Sequence, residues 1–268
     1  MFNDSYAENP EVFEKKFDKL VSLIENSKNM TVFTGAGVST LSGIPDFRGQ
    51  HGVYTDPWMG MDVEEIISMT FFRRKPDIFY KWAKDVWYHL EDYEPNVVHR
   101  VLSKMEKQGF LKKVYTQNID MLHQRAGNTT VMEVHGSPEY HTCQGCGKKF
   151  TYAEIAPQVR EGKVPYCPVC KSVIKPDIIF YEEALNERIL NSAWHDFSHT
   201  DLCLVLGSSL LVQPAASLPA LAGQSGAKIV IVNAQDTYQD ANATLRFRDL
   251  KQTFDALEAY LDSRIEEK

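Results

Sequence analysis

Four of the chain's five cysteines stand in two close pairs, Cys143-Gln-Gly-Cys146 and Cys167-Pro-Val-Cys170, with 20 residues between them. Two turns that each present a pair of thiolates can surround one tetrahedral zinc ion, which would fold residues 143–170 back around a single point. Two disulfides or a redox Cys-x-x-Cys are the competing uses of such cysteines. A reducing cytosol disfavours the first, and the second needs one pair rather than two. With all four ligands supplied by protein, no position is left for water, so the expected metal is structural. Cys203 lies apart, in the apolar run Leu202–Leu206, and reads as a buried small hydrophobe.

Upstream, the apolar run Met30–Phe33 leads into Thr34-Gly-Ala-Gly-Val-Ser-Thr-Leu-Ser-Gly-Ile-Pro-Asp-Phe-Arg-Gly49. Glycines directly after a strand let the backbone approach a bound pyrophosphate, so Gly35 and Gly37 mark a candidate dinucleotide site. Taken alone, the Gly-Ala-Gly run is read equally well as an ordinary strand-to-helix turn. The usual G-x-G-x-x-G pattern is incomplete, since Thr40 occupies the third glycine's place. A nicotinamide dehydrogenase would also carry an acidic residue about twenty residues on to hold the ribose. Asp46 comes sooner, inside a Pro-Asp-Phe-Arg loop.

Helical spacing of Val12, Phe13, Phe17, Leu20, Val21 and Ile24 predicts a helix from about Pro10 to Asn26. The aromatic stretch from Gly52 to Tyr93 reads as an inserted helical lobe, with helices at Val63–Met69 and Asp77–Leu90. A helix over Val97–Gln108 and a short strand at Val114–Thr116 follow. The apolar runs Ile178–Phe180, Leu202–Leu206 and Ile229–Val232, spaced by helix-length segments, give the βαβ rhythm of a parallel sheet in an α/β fold. Three strand candidates end in polar or glycine clusters: Phe33 before the glycine run, Leu206 before Gly207-Ser-Ser209, and Val232 before Asn233. Ligands of open parallel sheets bind outside the carboxyl ends of strands, so these clusters are expected to face one crevice.

A chain of 268 residues, 43% hydrophobic, can bury such a core with a smaller module attached. Its net charge of −7 argues against a nucleic-acid-binding surface, which needs clustered lysine and arginine. No apolar run is long enough for a membrane span, and the N-terminus lacks a secretory pattern, so the expected location is cytoplasmic.

From about Leu20 to Leu257 the chain resembles the catalytic core of the sirtuin family. The glycine run, Thr116-Gln-Asn-Ile-Asp120, Val134-His-Gly136 and the cysteine quartet carry the likeness, in the expected order. The resemblance implies a Rossmann-like domain made of residues 1–50, 95–138 and 176–268. It implies a small lobe made of a helical insertion (51–94) and a zinc ribbon (139–175). NAD would lie in the cleft between them as a consumed cosubstrate. Gly35, Ala36, Gly37, Thr40, Asp46, Phe47 and Arg48 would line its pocket, Phe47 shielding the reacting ribose and Arg48 reaching toward phosphate. Gln117 would touch the ribose, and Asn118, Ile119 and Asp120 would form the nicotinamide pocket, Asp120 holding the carboxamide. Gly207, Ser208, Ser209, Asn233, Asp249 and Leu250 would bind the adenosine half.

The implied reaction is NAD-dependent deacylation of protein lysine, giving free lysine, nicotinamide and O-acyl-ADP-ribose. Its catalytic residues would be His135, as general base, and Asn118. Imidazole, with an ordinary pKa near 6.5, suits the removal of a ribose proton near neutrality. The other histidines, at 51, 89, 99, 123, 141, 195 and 199, read as surface or packing residues. An acyl-lysine peptide would bind as a strand between Phe180–Glu183 and Leu210–Ala215, to a chain expected to act as a monomer.

Two departures from the family pattern bear on substrate. Tyr181 and Glu182 stand at the first two places of the usual Phe-Gly-Glu, and the added anion suggests a preference for peptides with basic flanks. Tyr80 is present, but Ala83 replaces the arginine of relatives that take acidic acyl groups, which favours neutral ones. The competing functions are NAD-dependent ADP-ribosyl transfer on the same scaffold and a non-enzymatic NAD sensor or adaptor.

Overall fold

The computed structural model describes residues 8–46, 52 and 57–266. The first helix, α1 (Pro10–Asn26), starts at Asn9, whose side chain accepts from the Glu11 N–H, with Pro10 at the first helical position. Strand β1 (Met30–Thr34) follows and ends in a 3-10 turn over Ala36–Ser42. The helical insertion comprises α2 (Val63–Ile66), α3 (Met69–Arg74) and α4 (Pro76–Trp87). The single helix expected over Val63–Met69 is broken because Ser68 is extended and its hydroxyl caps α3 by accepting from Phe71 N–H. Helix α5 (Val97–Lys107), β2 (Leu111–Thr116), α6 (Leu122–Arg125) and β3 (Val131–Glu133) return the chain to the main sheet. Next come β4 (Gly136–Cys143), β5 (Lys149–Thr151), α7 (Tyr152–Arg160) and β6 (Ile174–Ile178), then α8 (Glu187–His199), β7 (Leu202–Leu206), α9 (Leu218–Gln224), β8 (Lys228–Val232), β9 (Leu245–Phe247) and α10 (Leu250–Glu266).

The larger sheet has six parallel strands in the order β3-β2-β1-β7-β8-β9. Strand alternation splits its side chains between two cores. Val32, Leu204, Leu206, Val230 and Val232 meet α1, α5 and α10 on one face. Phe33, Val205, Cys203, Ile229 and Ile231 meet α8 and α9 on the other. Each such side chain fully buried contributes about 1.5–3 kcal/mol. Cys203 is buried among these apolar neighbours, as its sequence context indicates.

The smaller sheet is antiparallel, in the order β5-β4-β6, and runs from Gly136 to Ile178. This corrects the reading of Ile178–Phe180 as a strand of the parallel sheet. Ile178 ends β6, which pairs with β4, and residues 179 and 180 are irregular. A third core joins this sheet to the insertion: Cys143, Cys167, Ile155 and Ile174 pack with Phe72, Phe79, Trp82 and Trp87. Among the described residues, no helix is long and apolar enough to cross a membrane.

Candidate active site

Chain order places a crossover beside β1. From β1 the chain builds outward through β2 and β3, then crosses to build β7, β8 and β9 on the other side. That reversal opens a crevice at the carboxyl ends of the strands. A cavity of about 800 Å³ lies there. Its walls take Gly35, Ala36, Gly37 and Thr40 after β1, Gln117, Asn118 and Ile119 after β2, His135 after β3, Gly207, Ser208 and Ser209 after β7, Asn233 after β8, and Asp249 and Leu250 after β9. Asp46 also lines it. Phe47 and Arg48 lie outside the described residues.

Gly35 and Gly37, which line the cavity, also serve a close contact within the protein. A Cβ on Gly35 would come within 2.7 Å of Gly207 O, and one on Gly37 within 2.9 Å of the Gly207 Cα. Gly207 itself has φ +59°, and Gly37 N–H donates to Gly207 O at 2.8 Å. These glycines therefore let the loops after β1 and β7 interlock and form the cavity floor.

Asp120 does not line the cavity. It is buried beneath the wall, where its carboxylate accepts from Ser39 Oγ at 2.5 Å and from Leu122 N–H at 2.9 Å. Burial raises its pKa above the usual carboxylate range. Asn118 joins the same network, its amide nitrogen donating to Ser39 Oγ at 3.0 Å and to Gly35 O at 3.1 Å. Its Oδ1 is buried with no hydrogen-bond partner among the described residues, an acceptor that suits a carboxamide N–H or a water molecule. The loop after β7 is tied to the loop after β2 by Gln117 Nε2, which donates to Ser208 Oγ at 2.8 Å.

His135 is half-buried in the cavity wall, its Nδ1 3.2 Å from Gln117 O. Burial lowers its pKa, opposed in part by the Gln117 carbonyl. The main chain of His135 also reaches the opposite wall, because Ile179 N–H donates to His135 O at 2.8 Å. Phe180, Tyr181, Glu182 and Glu183 form that wall, with Val212, Gln213 and Pro214 from the loop before α9. Leu210 and Ala215, the ends of the second expected peptide segment, are buried and do not line the cavity.

Lys175 clamps the first of these segments from below. Its buried Nζ lies 2.7 Å from Glu183 Oε2, donates to Ile178 O at 2.8 Å and sits 3.9 Å from the centre of the Phe180 ring. Glu182 has φ +75°, a left-handed conformation that costs a non-glycine residue about 1–2 kcal/mol. Its carboxylate accepts from Thr70 N–H at 2.8 Å, next to Arg73 and Arg74 of α3. The anion expected to meet basic peptide flanks is thus turned onto the insertion. Tyr80 is buried, donating its hydroxyl to Ile174 O, and neither it nor Ala83 lines the cavity.

The four quartet sulfurs lie within 4.8 Å of one another, Cys143 to Cys170 at 3.3 Å and Cys146 to Cys167 at 3.7 Å. A tetrahedral zinc with bonds of about 2.3 Å needs sulfurs about 3.8 Å apart. The donor set fits one such ion, with two ligands buried and two exposed.

The Sir2 family profile matches residues 35–214, more than half of the chain. The chain belongs to the Sir2 family. The NAD-dependent protein deacetylase of Thermotoga maritima is 40% identical over 87% of this chain and 92% of its own length. The NAD-dependent protein deacylase 2 of Archaeoglobus fulgidus is 40% identical over 85% of this chain and 88% of its own. Among solved structures, a Sir2 histidine-to-alanine variant with deacetylated p53 peptide and 3′-O-acetyl-ADP-ribose superposes with a TM-score of 0.85. It is 37% identical and covers 92% of this chain and 98% of that one. A Sir2–p53 peptide–NAD+ complex gives 0.82 at the same identity and coverage.

This Sir2-family cavity also takes residues that the sequence reading missed. Arg248 and Lys251 flank Asp249 and Leu250 at its β9 end, and Ile67 and Trp87 reach it from the insertion. Arg248 follows a three-residue strand too short to signal itself, and only packing distinguishes Trp87 from its aromatic neighbours.

Proposed function

We propose that the protein is an NAD-dependent protein-lysine deacylase, giving free lysine, nicotinamide and O-acyl-ADP-ribose. The observation that carries this reading is the placement of His135. A half-buried imidazole with its Nδ1 on a carbonyl faces the same cavity as the Gln117-Asn118-Ile119 turn and the 180–183 wall. In the proposed arrangement Gly35, Ala36, Thr40, Gln117, Ser208, Ser209, Asn233, Asp249 and Leu250 bind NAD, Asn118 and Ile119 contact its nicotinamide, and Asp120 holds that turn through Ser39. His135 Nε2 accepts a proton from the ribose hydroxyl that captures the acyl group, and Asn118 orients the reacting end. The acyl-lysine peptide enters as a strand between 180–183 and 212–214. A neutral acyl group is favoured, because Tyr80 and Ala83 offer the cavity no cation. Zinc, held by Cys143, Cys146, Cys167 and Cys170, supplies a structural cross-link and no chemistry. A thiol quartet needs a reducing compartment, so the proposed place of action is the cytoplasm.

Mass spectrometry of the products from NAD and acetyl-, butyryl- and succinyl-lysine peptides tests the reading. Deacylated peptide, nicotinamide and acyl-ADP-ribose in equal amounts are expected, and His135→Ala should lower deacylation by about 10²–10⁴. Nicotinamide release with the acyl group still on the peptide would instead indicate ADP-ribosyl transfer, and no turnover would indicate a sensor.

A further inference from the structure

The wall formed by residues 180–183 has spent most of its main-chain hydrogen-bonding capacity inside the protein. Phe180 N–H donates to Glu183 Oε2 at 2.8 Å, and Phe180 O accepts from Glu183 N–H at 3.1 Å. Tyr181 N–H donates to Ile67 O, and Tyr181 O accepts from Met69 N–H, both at 3.1 Å. Of residues 180, 181 and 182, only Glu182 leaves both its N–H and its C=O without a partner among the described residues.

The direction of that N–H follows from covalent geometry. In the trans peptide joining Tyr181 to Glu182, the C=O and the N–H point opposite ways. The C=O points at Met69, so the Glu182 N–H points the other way, away from Met69, on a residue that lines the cavity. The Glu182 side chain reaches back to Thr70 N–H on α3 and so spans the left-handed turn at its own Cα.

We propose that Glu182 is a positioning residue for the acylated peptide: its side chain caps α3 and thereby holds the turn that presents its own main-chain N–H to the incoming strand. Its carboxylate, engaged on α3, does not read the charge of the peptide's flanks. This role rests on the deacylase reading above and adds to it the atom that receives the peptide.

Three variants separate the possibilities. Glu182→Gly accepts φ +75° without strain and loses only the cap; Glu182→Ala loses the cap and keeps the strain; Glu182→Gln keeps an acceptor oxygen for Thr70. Steady-state KM values for peptide and for NAD are measured separately, with thermal melts to confirm folding. Anisotropy of a labelled acetyl-lysine peptide gives its affinity without turnover. Glu182→Gly and Glu182→Ala should raise the peptide KM and Kd about tenfold, the size expected for one net hydrogen bond. The NAD KM should move less than about twofold, because the cap faces the peptide side. Glu182→Gln should restore peptide affinity to within about threefold and leave the ratio of basic-flank to acidic-flank turnover as in the wild type. A folded Glu182→Gly with wild-type peptide affinity overturns the proposal, as does a Glu182→Gln that changes the flank ratio. A wild type that binds the peptide but yields no deacylated product overturns the deacylase reading instead, and the anisotropy contrast between variants still decides the role of Glu182.

Discussion

The Nδ1 atom of His135 lies 3.2 Å from the main-chain oxygen of Gln117. A carbonyl oxygen only accepts, so Nδ1 carries the proton and Nε2 is the basic nitrogen. The assignment matters because Gln117 is itself tied to Ser208, so one turn orients the base and joins the two halves of the crevice.

A pH dependence follows from this pair. Burial holds the His135 pKa below its ordinary 6.5, so Nε2 stays unprotonated throughout the neutral range. The midpoint of the acid limb of kcat/KM should therefore lie below pH 6.5. An acid limb centred above pH 7 in a pH–rate profile would contradict the assignment of His135 as base.

Zinc removal should disable the site although no sulfur touches it. Cys143 and Cys167 are buried in the same apolar cluster as Trp87 and Phe180, which line the cavity. Structural zinc sites contribute roughly 10–16 kcal/mol of apparent binding free energy, and that energy is also folding energy. Chelation should release one zinc per chain, lower the helical circular dichroism and abolish peptide turnover. Metal analysis read beside activity checks this, and a zinc-free sample with full activity and helicity would refute it.

Some of this was legible because local and tertiary demands agree. Helix α1 reads directly from the spacing of Phe13, Phe17, Leu20 and Ile24, starting at about Pro10, and the structure adds the Asn9 cap. The run Ile178–Phe180 misleads because three apolar residues carry no information about which sheet they join. Pairing with β4, which starts beside His135 and carries Cys143, decides it. The left-handed turn at Glu182 is invisible for another reason: glutamate has no preference for φ > 0, and the Thr70 cap that accompanies it comes from a helix 112 residues away in sequence.

Acyl length should respond to Trp87. Of the aromatic side chains on α4, only Trp87 reaches the cavity; Phe79, Tyr80 and Trp82 fill the core behind it. Its ring packs edge-on against Trp82 at 4.8 Å between centres. Trp87→Leu keeps an apolar side chain and shortens it, which opens space for extra methylenes worth about 0.8 kcal/mol each when buried. The kcat/KM ratio of octanoyl- to acetyl-lysine peptide should rise about tenfold in this variant. An unchanged ratio would place the acyl chain elsewhere.

Stability should weaken on the acid side through the buried histidines, His123 and His141 among them. His123 Nε2 meets Thr34 Oγ1 at 3.1 Å and His141 Nε2 meets the Tyr88 hydroxyl at 2.8 Å, while the Nδ1 of each is buried without a partner among the described residues. Burial pushes both pKa values down to about 4. The unfolded chain binds protons near 6.5, so it protonates first. The stability held above pH 6.5 is therefore lost as pH falls toward 4, up to about 3 kcal/mol for each histidine. Glu133 acts in the opposite sense, because burial raises its pKa to about 7 and acidification relieves a charge that the fold disfavours. The urea midpoint should drop between pH 6.5 and 4.5, more steeply in Glu133→Gln, and less steeply in His141→Asn, which cannot take the proton. Equal slopes in all three proteins would show that these groups do not titrate as their burial requires.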